Sequence, residues 1–217
     1  MRIGVLGTGV VGSVLGAALV RAGHEVMMGA REPSNEKAAT WVAETGAGAS
    51  QGTFAEAAAF GELVINAVSG EHTLRALSSV AEGDLEGKTL LDAANPLDFS
   101  AGFPPTLSVV NDDSLGEQVQ RAHPGAHVVK GFNTISNRVM VNPGAIAGGD
   151  HDLFICGDDA GAKAEVRRLA ADLGWSGEHV IDLGGIGCAR GTEMYLALWV
   201  RLMTALGGGD FGVRVVR

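Results

Sequence analysis

Apolar positions along the chain fall into two alternating kinds of run. Arg2–Leu6, Glu25–Met28, Leu63–Val68, Thr89–Asp92, His127–Lys130, Asp152–Cys156 and Val180–Asp182 are short and rich in apolar residues. The first of them are apolar on nearly every position, as expected of strands covered on both faces. Between these runs, Val10–Arg21, Glu36–Glu44, Thr53–Phe60, His72–Val80, Leu115–Arg121, Ala160–Asp172 and Thr192–Leu206 read as helices. Strand and helix alternating across short links predict an α/β fold with a doubly wound, mostly parallel sheet. No linker divides the chain, so 1–217 is expected to form one domain, with 183–217 as a short extension of a helix and a final strand at "FGVRVV". The last helix is apolar nearly all round, which predicts burial in the core or between subunits. Asn95–Asp113, the longest irregular segment, follows a strand and is expected to form a lid or wall of a ligand site.

The link between the first strand and first helix reads Gly7-Thr8-Gly9-Val10-Val11-Gly12. In this context Gly7 permits a tight turn, Gly9 lets a pyrophosphate approach the backbone, and Gly12 lets the helix pack closely on the sheet. The amides and dipole at that helix start favour phosphate. This is the fingerprint of a Rossmann-type dinucleotide site. A nicotinamide dinucleotide without a 2′-phosphate is met by an acid at the end of the second strand, and one with it by an arginine. Here positions 28–30 are Met, Gly and Ala, and position 31 is Arg, nineteen residues beyond Gly12. A guanidinium grips phosphate with paired, charge-assisted bonds. Ser34 and Lys37 are placed to add a hydroxyl and a second cation, so NADP(H) is the expected cofactor.

Charge narrows the partners. With 16 basic against 25 acidic residues, the net charge is −9, and no basic run offers a nucleic-acid footprint. The most apolar stretch, "MYLALWV", falls short of the roughly 20 residues a membrane helix needs, and "MRIGVLG" opens without a leader pattern. A cytoplasmic protein with no membrane partner is expected. Cys156 and Cys188 suggest neither a disulfide framework nor a zinc site, and no cluster has metal-ligand spacing, so no metal is expected. Asp158 and Asp159 precede a helix and are expected to cap it.

Five segments are similar to one family: "RIGVLGTGVVGSVLGAALVRAGHEVMMGAR", "FGELVINAV", "VVKGFNTIS", "FICGDDAGAKAEVRRLAADLGW" and "VIDLGGIGCARGTEMYLALWVRLM…GDFGVRV". They resemble the NADPH-dependent reductases of the deazaflavin coenzyme F420. They also resemble the oxidoreductase domain of six-transmembrane ferric reductases, where NADPH reduces a flavin; "GFNTIS" is closer to that branch. Ala30 departs from the serine that often precedes the arginine. The resemblance implies hydride transfer between NADPH and a flavin-like small-molecule acceptor, F420 first, and a homodimer. It implies that Thr8, Val10 and Val11 lie along the pyrophosphate, with Arg31 and Ser34 at the 2′-phosphate. Ala67, Val68, Ser69 and His72 would border the nicotinamide. Asn95 and Pro96, on the cofactor, and Phe132, Asn133 and Thr134, on the acceptor side, would line the opposite wall.

Hydride transfer between stacked rings asks the protein for orientation more than for acid–base help, so no catalytic side chain is nominated. Two rival readings are an NADPH-dependent flavin/ferric or small carbonyl or imine reductase, and a nucleotide sensor without turnover. Relatives acting on carbonyls or imines usually add a substantial helical domain, whereas only one long helix follows the Rossmann portion here.

Overall fold

The computed structural model describes residues 1–81 and 83–217. In chain order the elements are β1 (Arg2–Leu6), α1 (Val10–Arg21), β2 (Glu25–Ala30), α2 (Glu36–Thr45), β3 (Ala49–Thr53), α3 (Phe54–Phe60), β4 (Leu63–Asn66), α4 (Gly70–Leu77) and β5 (Thr89–Asp92). They continue with β6 (Leu97–Asp98), β7 (Thr106–Leu107), α5 (Leu115–Ala122), β8 (His127–Gly131), α6 (Asn137–Met140), β9 (Leu153–Gly157), α7 (Ala160–Asp172), β10 (Val180–Asp182), α8 (Ala189–Met194) and α9 (Leu196–Leu206).

Eight strands form one sheet in the order β10-β9-β8-β5-β4-β1-β2-β3, with β6 and β7 as a separate small hairpin. Pairing is parallel from β3 through β8, and β9 runs antiparallel to β8. Each face carries its own apolar layer. One joins Leu15, Leu19 and Trp41 to Val166 and Leu169, and the other joins Ala57 and Leu77 to Val119 and Ile186. Covering both faces is what the near-continuous apolar strands require. Gly4 shows how tight the second layer is: a Cβ there would run into the Ala57 carbonyl, so α3 lies directly on β1. The order of strands reverses at β1, with β4 on one side and β2 on the other. In open α/β sheets that switch point is where ligands bind.

Three expectations change. β3, "ASQGT", is a strand without an apolar run; it sits at the sheet edge, where only Gly52 is buried. The predicted helix Thr192–Leu206 is two helices that meet at Tyr195, and of α9 only Leu196 and Val200 are buried. Leu198 and Leu206 are exposed, so α9 is not enclosed on all sides within the chain. The final strand does not form: 209–217 is irregular.

That tail is strapped down by individual hydrogen bonds and a ring stack instead. The Asp152 amide donates to the Val213 carbonyl at 2.7 Å, the Val215 amide donates to Asp152 Oδ2 at 2.6 Å, and Phe211 stacks on Trp199 with centroids 5.5 Å apart. Burial works to raise the Asp152 carboxyl, but the Val215 amide, His179 and Arg214 hold it below the usual range. A depressed carboxyl contributes stability above its unfolded pKa and loses it as pH falls through its folded value. Acidification below about pH 4 should therefore release the tail. A change in Trp199 emission, isolated by comparison with Trp199→Phe, checks this, and Asp152→Asn should remove the transition.

Candidate functional site

β1 ends at Leu6, and Gly7 turns the chain at φ 116° while its amide donates to the Gly29 carbonyl at 3.0 Å. Gly12 packs so closely that a Cβ would strike the Gly7 carbonyl. Gly9 is the N-cap of α1, with no side chain to cap the helix and nothing within 4 Å of where a Cβ would stand. The first amides of α1 thus face open space with no side-chain acceptor. This is a cradle for an anion.

Two spaces flank that cradle across the switch point. One, of about 340 Å³, is bounded by Gly9–Val11, by Ala67–Glu71 after β4, and by Ala93–Asn95, Leu97 and Phe99 after β5. Of the residues lining it only Glu71 carries an ionisable side chain. Val10 and Phe99 are large apolar residues that remain exposed at 66% and 58%. The second, of about 230 Å³, is lined by Arg31, Phe54, Val68, His72, Arg75, Ala76 and Ser79. It contains no acid, and among the described residues neither guanidinium has a protein partner. Thr8 and Lys37 lie along a third, open groove with Trp41, beside the start of α1.

Most of the predicted residues therefore gather around the C-terminal ends of β1, β2, β4 and β5. His72 faces the Arg31 space rather than the space at Ser69. Ser34 is exposed on the β2–α2 link and lines none of these spaces. Pro96 is buried; its carbonyl accepts from the Ser108 amide at 2.8 Å and ties the β6–β7 hairpin to the site. The expected acceptor-side wall at 132–134 needs the largest correction. Phe132 adopts φ 62° and is wholly buried in the core with Ile135 and Val139. The left-handed backbone turns its ring inward at a cost of roughly 1–2 kcal/mol. Asn133 and Thr134 are only 3% and 5% exposed. Asn133 Nδ2 donates to Asn95 Oδ1 at 2.9 Å, and Asn95 Nδ2 returns a bond to the Asn133 carbonyl at 2.8 Å. Asn133 supports the wall from behind, and Asn95 with Phe99 forms its surface.

Arg75 and Phe99 were not among the residues singled out from the sequence. Arg75 stands three residues beyond His72 on α4, hence on the same helix face. Asp159 caps α7 through the Ala162 amide at 2.7 Å, as expected, whereas Asp158 accepts from the Ile186 amide at 2.9 Å. Burial pushes the Cys156 thiol up to about 12. Among the described residues no helix is long and apolar enough to cross a membrane, and no group of three or more His, Cys, Asp or Glu is placed to hold a metal ion.

Behind the first space lies a buried charged group. Lys130 Nζ is 2.8 Å from Asp92 Oδ2 and 2.7 Å from Glu193 Oε1, with all three side chains at most 1% exposed. Burial alone would lower the Lys130 ammonium, but the two carboxylates more than reverse it and hold it above the usual lysine range.

Residues 2–96 match the family model for coenzyme F420-dependent NADP oxidoreductases. The chain is 32% identical to the F420-dependent NADP reductase of Methanothermobacter marburgensis, across 99% of this chain and 98% of the other. It is 30% identical to the rat metalloreductase STEAP3 over 88% of its own length, spanning only 36% of that protein. A crystal structure from Arthrobacter sp. FB24, provisionally assigned as an F420-dependent NADP-reductase, superposes with a TM-score of 0.94 at 48% identity, covering all of both chains.

Proposed function

The chain belongs to the coenzyme F420-dependent NADP oxidoreductase family, and we propose that it binds NADP(H) across the switch point and passes hydride between it and a deazaflavin of the F420 kind. The observation that carries the nucleotide part is the acid-free space holding Arg31 and Arg75, both without a partner among the described residues, beside the uncapped start of α1. An anion the size of a 2′-phosphate satisfies both guanidiniums, and the α1 amides suit a pyrophosphate. The open position above Gly9 is where a side chain would obstruct it.

The nicotinamide half then falls in the space between Ala67–Ser69 and Ala93–Asn95. When bound, the nucleotide supplies the hydride. The protein's own residues orient and exclude: Val68 and Ala94 wall the space, Asn95 is braced by Asn133, and Val10 and Phe99 offer exposed apolar surface against which a planar acceptor can lie. No titratable group except Glu71 lines the space, so rate comes from holding two rings at reacting distance rather than from proton transfer. Residues 1–217 then act as one nucleotide-binding unit in the cytoplasm, with 183–217 as its extension. The exposed Leu198 and Leu206 of α9 support a homodimer contact. A flavin or ferric acceptor is the second reading, supported by the 30% identity to the metalloreductase.

The test is oxidation of NADPH and of NADH by the purified protein with F420, FMN, FAD and a ferric chelate as separate acceptors. NADPH with F420 should be the productive pair. Turnover with flavin or ferric chelate alone moves the chain to the second reading, and tight NADPH binding without any turnover makes it a sensor. Arg75→Ala should weaken NADPH binding about tenfold, the worth of one charge-assisted contact, while leaving NADH unchanged. Titration with the two nucleotides checks it.

A further inference from the structure

We infer that Glu193 and Lys130 are positioning residues for the nicotinamide half of the cofactor, holding from beneath the two loops that wall its space. The inference rests on the nucleotide placement proposed above. An ammonium has three donors, and Lys130 directs them to three acceptors: Asp92 Oδ2, Glu193 Oε1 and the Ala94 carbonyl, the last at 2.6 Å. The Ala94 amide donates to Asp92 Oδ1 at 3.1 Å. Residue 94, part of one wall, is thus held at both its N–H and its carbonyl.

The same chain of bonds reaches the opposite wall. Asp92 Oδ1 accepts from Asn66 Nδ2 at 2.7 Å, and Asn66 Oδ1 accepts from the Val68 amide at 3.3 Å. Thr73 Oγ1, wholly buried, lies 3.2 Å from Asn66 Nδ2 and donates to the carbonyls at Val68 and Ser69. At the other end Glu193 accepts the Leu115 and Gly116 amides at 2.8 and 2.9 Å, the first turn of α5. The C-terminal extension therefore closes a continuous polar chain through the ends of β8, β5 and β4 to both walls.

Stability is a poor reason for such a group, because well-packed apolar residues replace buried ion pairs at little or no loss. A defined geometry is what a fully satisfied polar network supplies instead. The group takes no part in proton transfer: Lys130 has every donor occupied and no exposed surface.

The experiment compares dissociation constants of NADPH and of 2′,5′-ADP for the full chain and two variants. 2′,5′-ADP carries the adenosine half with the phosphate that faces Arg31 and Arg75, and lacks the nicotinamide. Glu193→Gln removes one of the two negative charges facing Lys130 and turns one acceptor oxygen of residue 193 into a donor, so that Lys130 and the Leu115 and Gly116 amides are no longer all satisfied. Thr73→Val leaves all three charges in place and cuts only the far link. Each variant should bind NADPH about five- to tenfold more weakly, the range of one or two lost hydrogen bonds, and bind 2′,5′-ADP within about twofold of the unaltered chain. Equal weakening of both ligands marks a merely structural role and overturns the inference, as does no change in either. If Glu193→Gln does not fold, Thr73→Val decides alone. An unaltered chain that binds NADPH no differently from 2′,5′-ADP refutes the nicotinamide placement itself, and the inference with it.

Discussion

Arg31→Ala should remove most of the preference for NADPH over NADH. The guanidinium follows β2 directly, shares its space with Arg75 and His72, and meets no acid there. Among the described residues nothing competes for it, so its charge is available to a ligand. A hydrogen bond to a charged group contributes roughly 1.5–3 kcal/mol, which corresponds to a loss of about ten- to a hundredfold in NADPH affinity. NADH has no phosphate at this position and should bind the variant as it binds the unaltered chain. Arg31→Lys should recover only part of the loss, because an ammonium cannot make the paired contact of the planar fork. Since Arg75 faces the same phosphate, the double variant should lose less than the two single losses combined. Fluorescence titration with both nucleotides decides it: an unchanged NADPH-to-NADH ratio in Arg31→Ala means that Arg31 does not hold the phosphate.

How far this site was legible depends on how local its parts are. Gly7, Gly9 and Gly12 lie within one turn, and the absence of an acid before Arg31 can be read from four adjacent positions. The strands of the parallel core were equally plain, since their apolar runs answer to two covered faces. Arg75 was hidden because its meaning depends on α4 lining the same space as the residue that follows β2, which no local spacing states. Phe132 misled for the opposite reason. Its motif placed it at a strand end, where a side chain normally faces the ligand, but a left-handed backbone at that residue sends the ring into the core. β3 escaped because an edge strand can be polar, and α9 because composition alone does not say which apolar residues find a partner within one chain. Lys130 and Glu193 are 63 residues apart in sequence, so only the assembled sheet reveals them as a pair.

That pair sets the largest expected loss of stability. Lys130→Met fills much of the same volume with an apolar chain but leaves Asp92 and Glu193 buried without their cation. Removing one partner of a buried ion pair costs about 3–5 kcal/mol. A chain of this size loses roughly 2–4 °C of Tm per kcal/mol, so a drop of about 6–20 °C is expected. The pH dependence separates this cause from simple loss of packing. Buried carboxylates deprived of a cation ionise less readily, so their folded pKa values lie above the unfolded ones. The folded state then binds more protons than the unfolded state, and stability rises as pH falls. The deficit of Lys130→Met should therefore shrink as the pH is lowered from about 8 to about 5, whereas a packing defect would leave it constant. Adding Glu193→Gln to Lys130→Met removes one of the two uncompensated charges and should restore part of the loss at pH 8. Thermal unfolding of the three proteins across that range checks the argument. A Lys130→Met chain that melts within about 2 °C of the unaltered one, less than 1 kcal/mol in a protein of this size, would show that the ammonium is not what holds the two carboxylates in place.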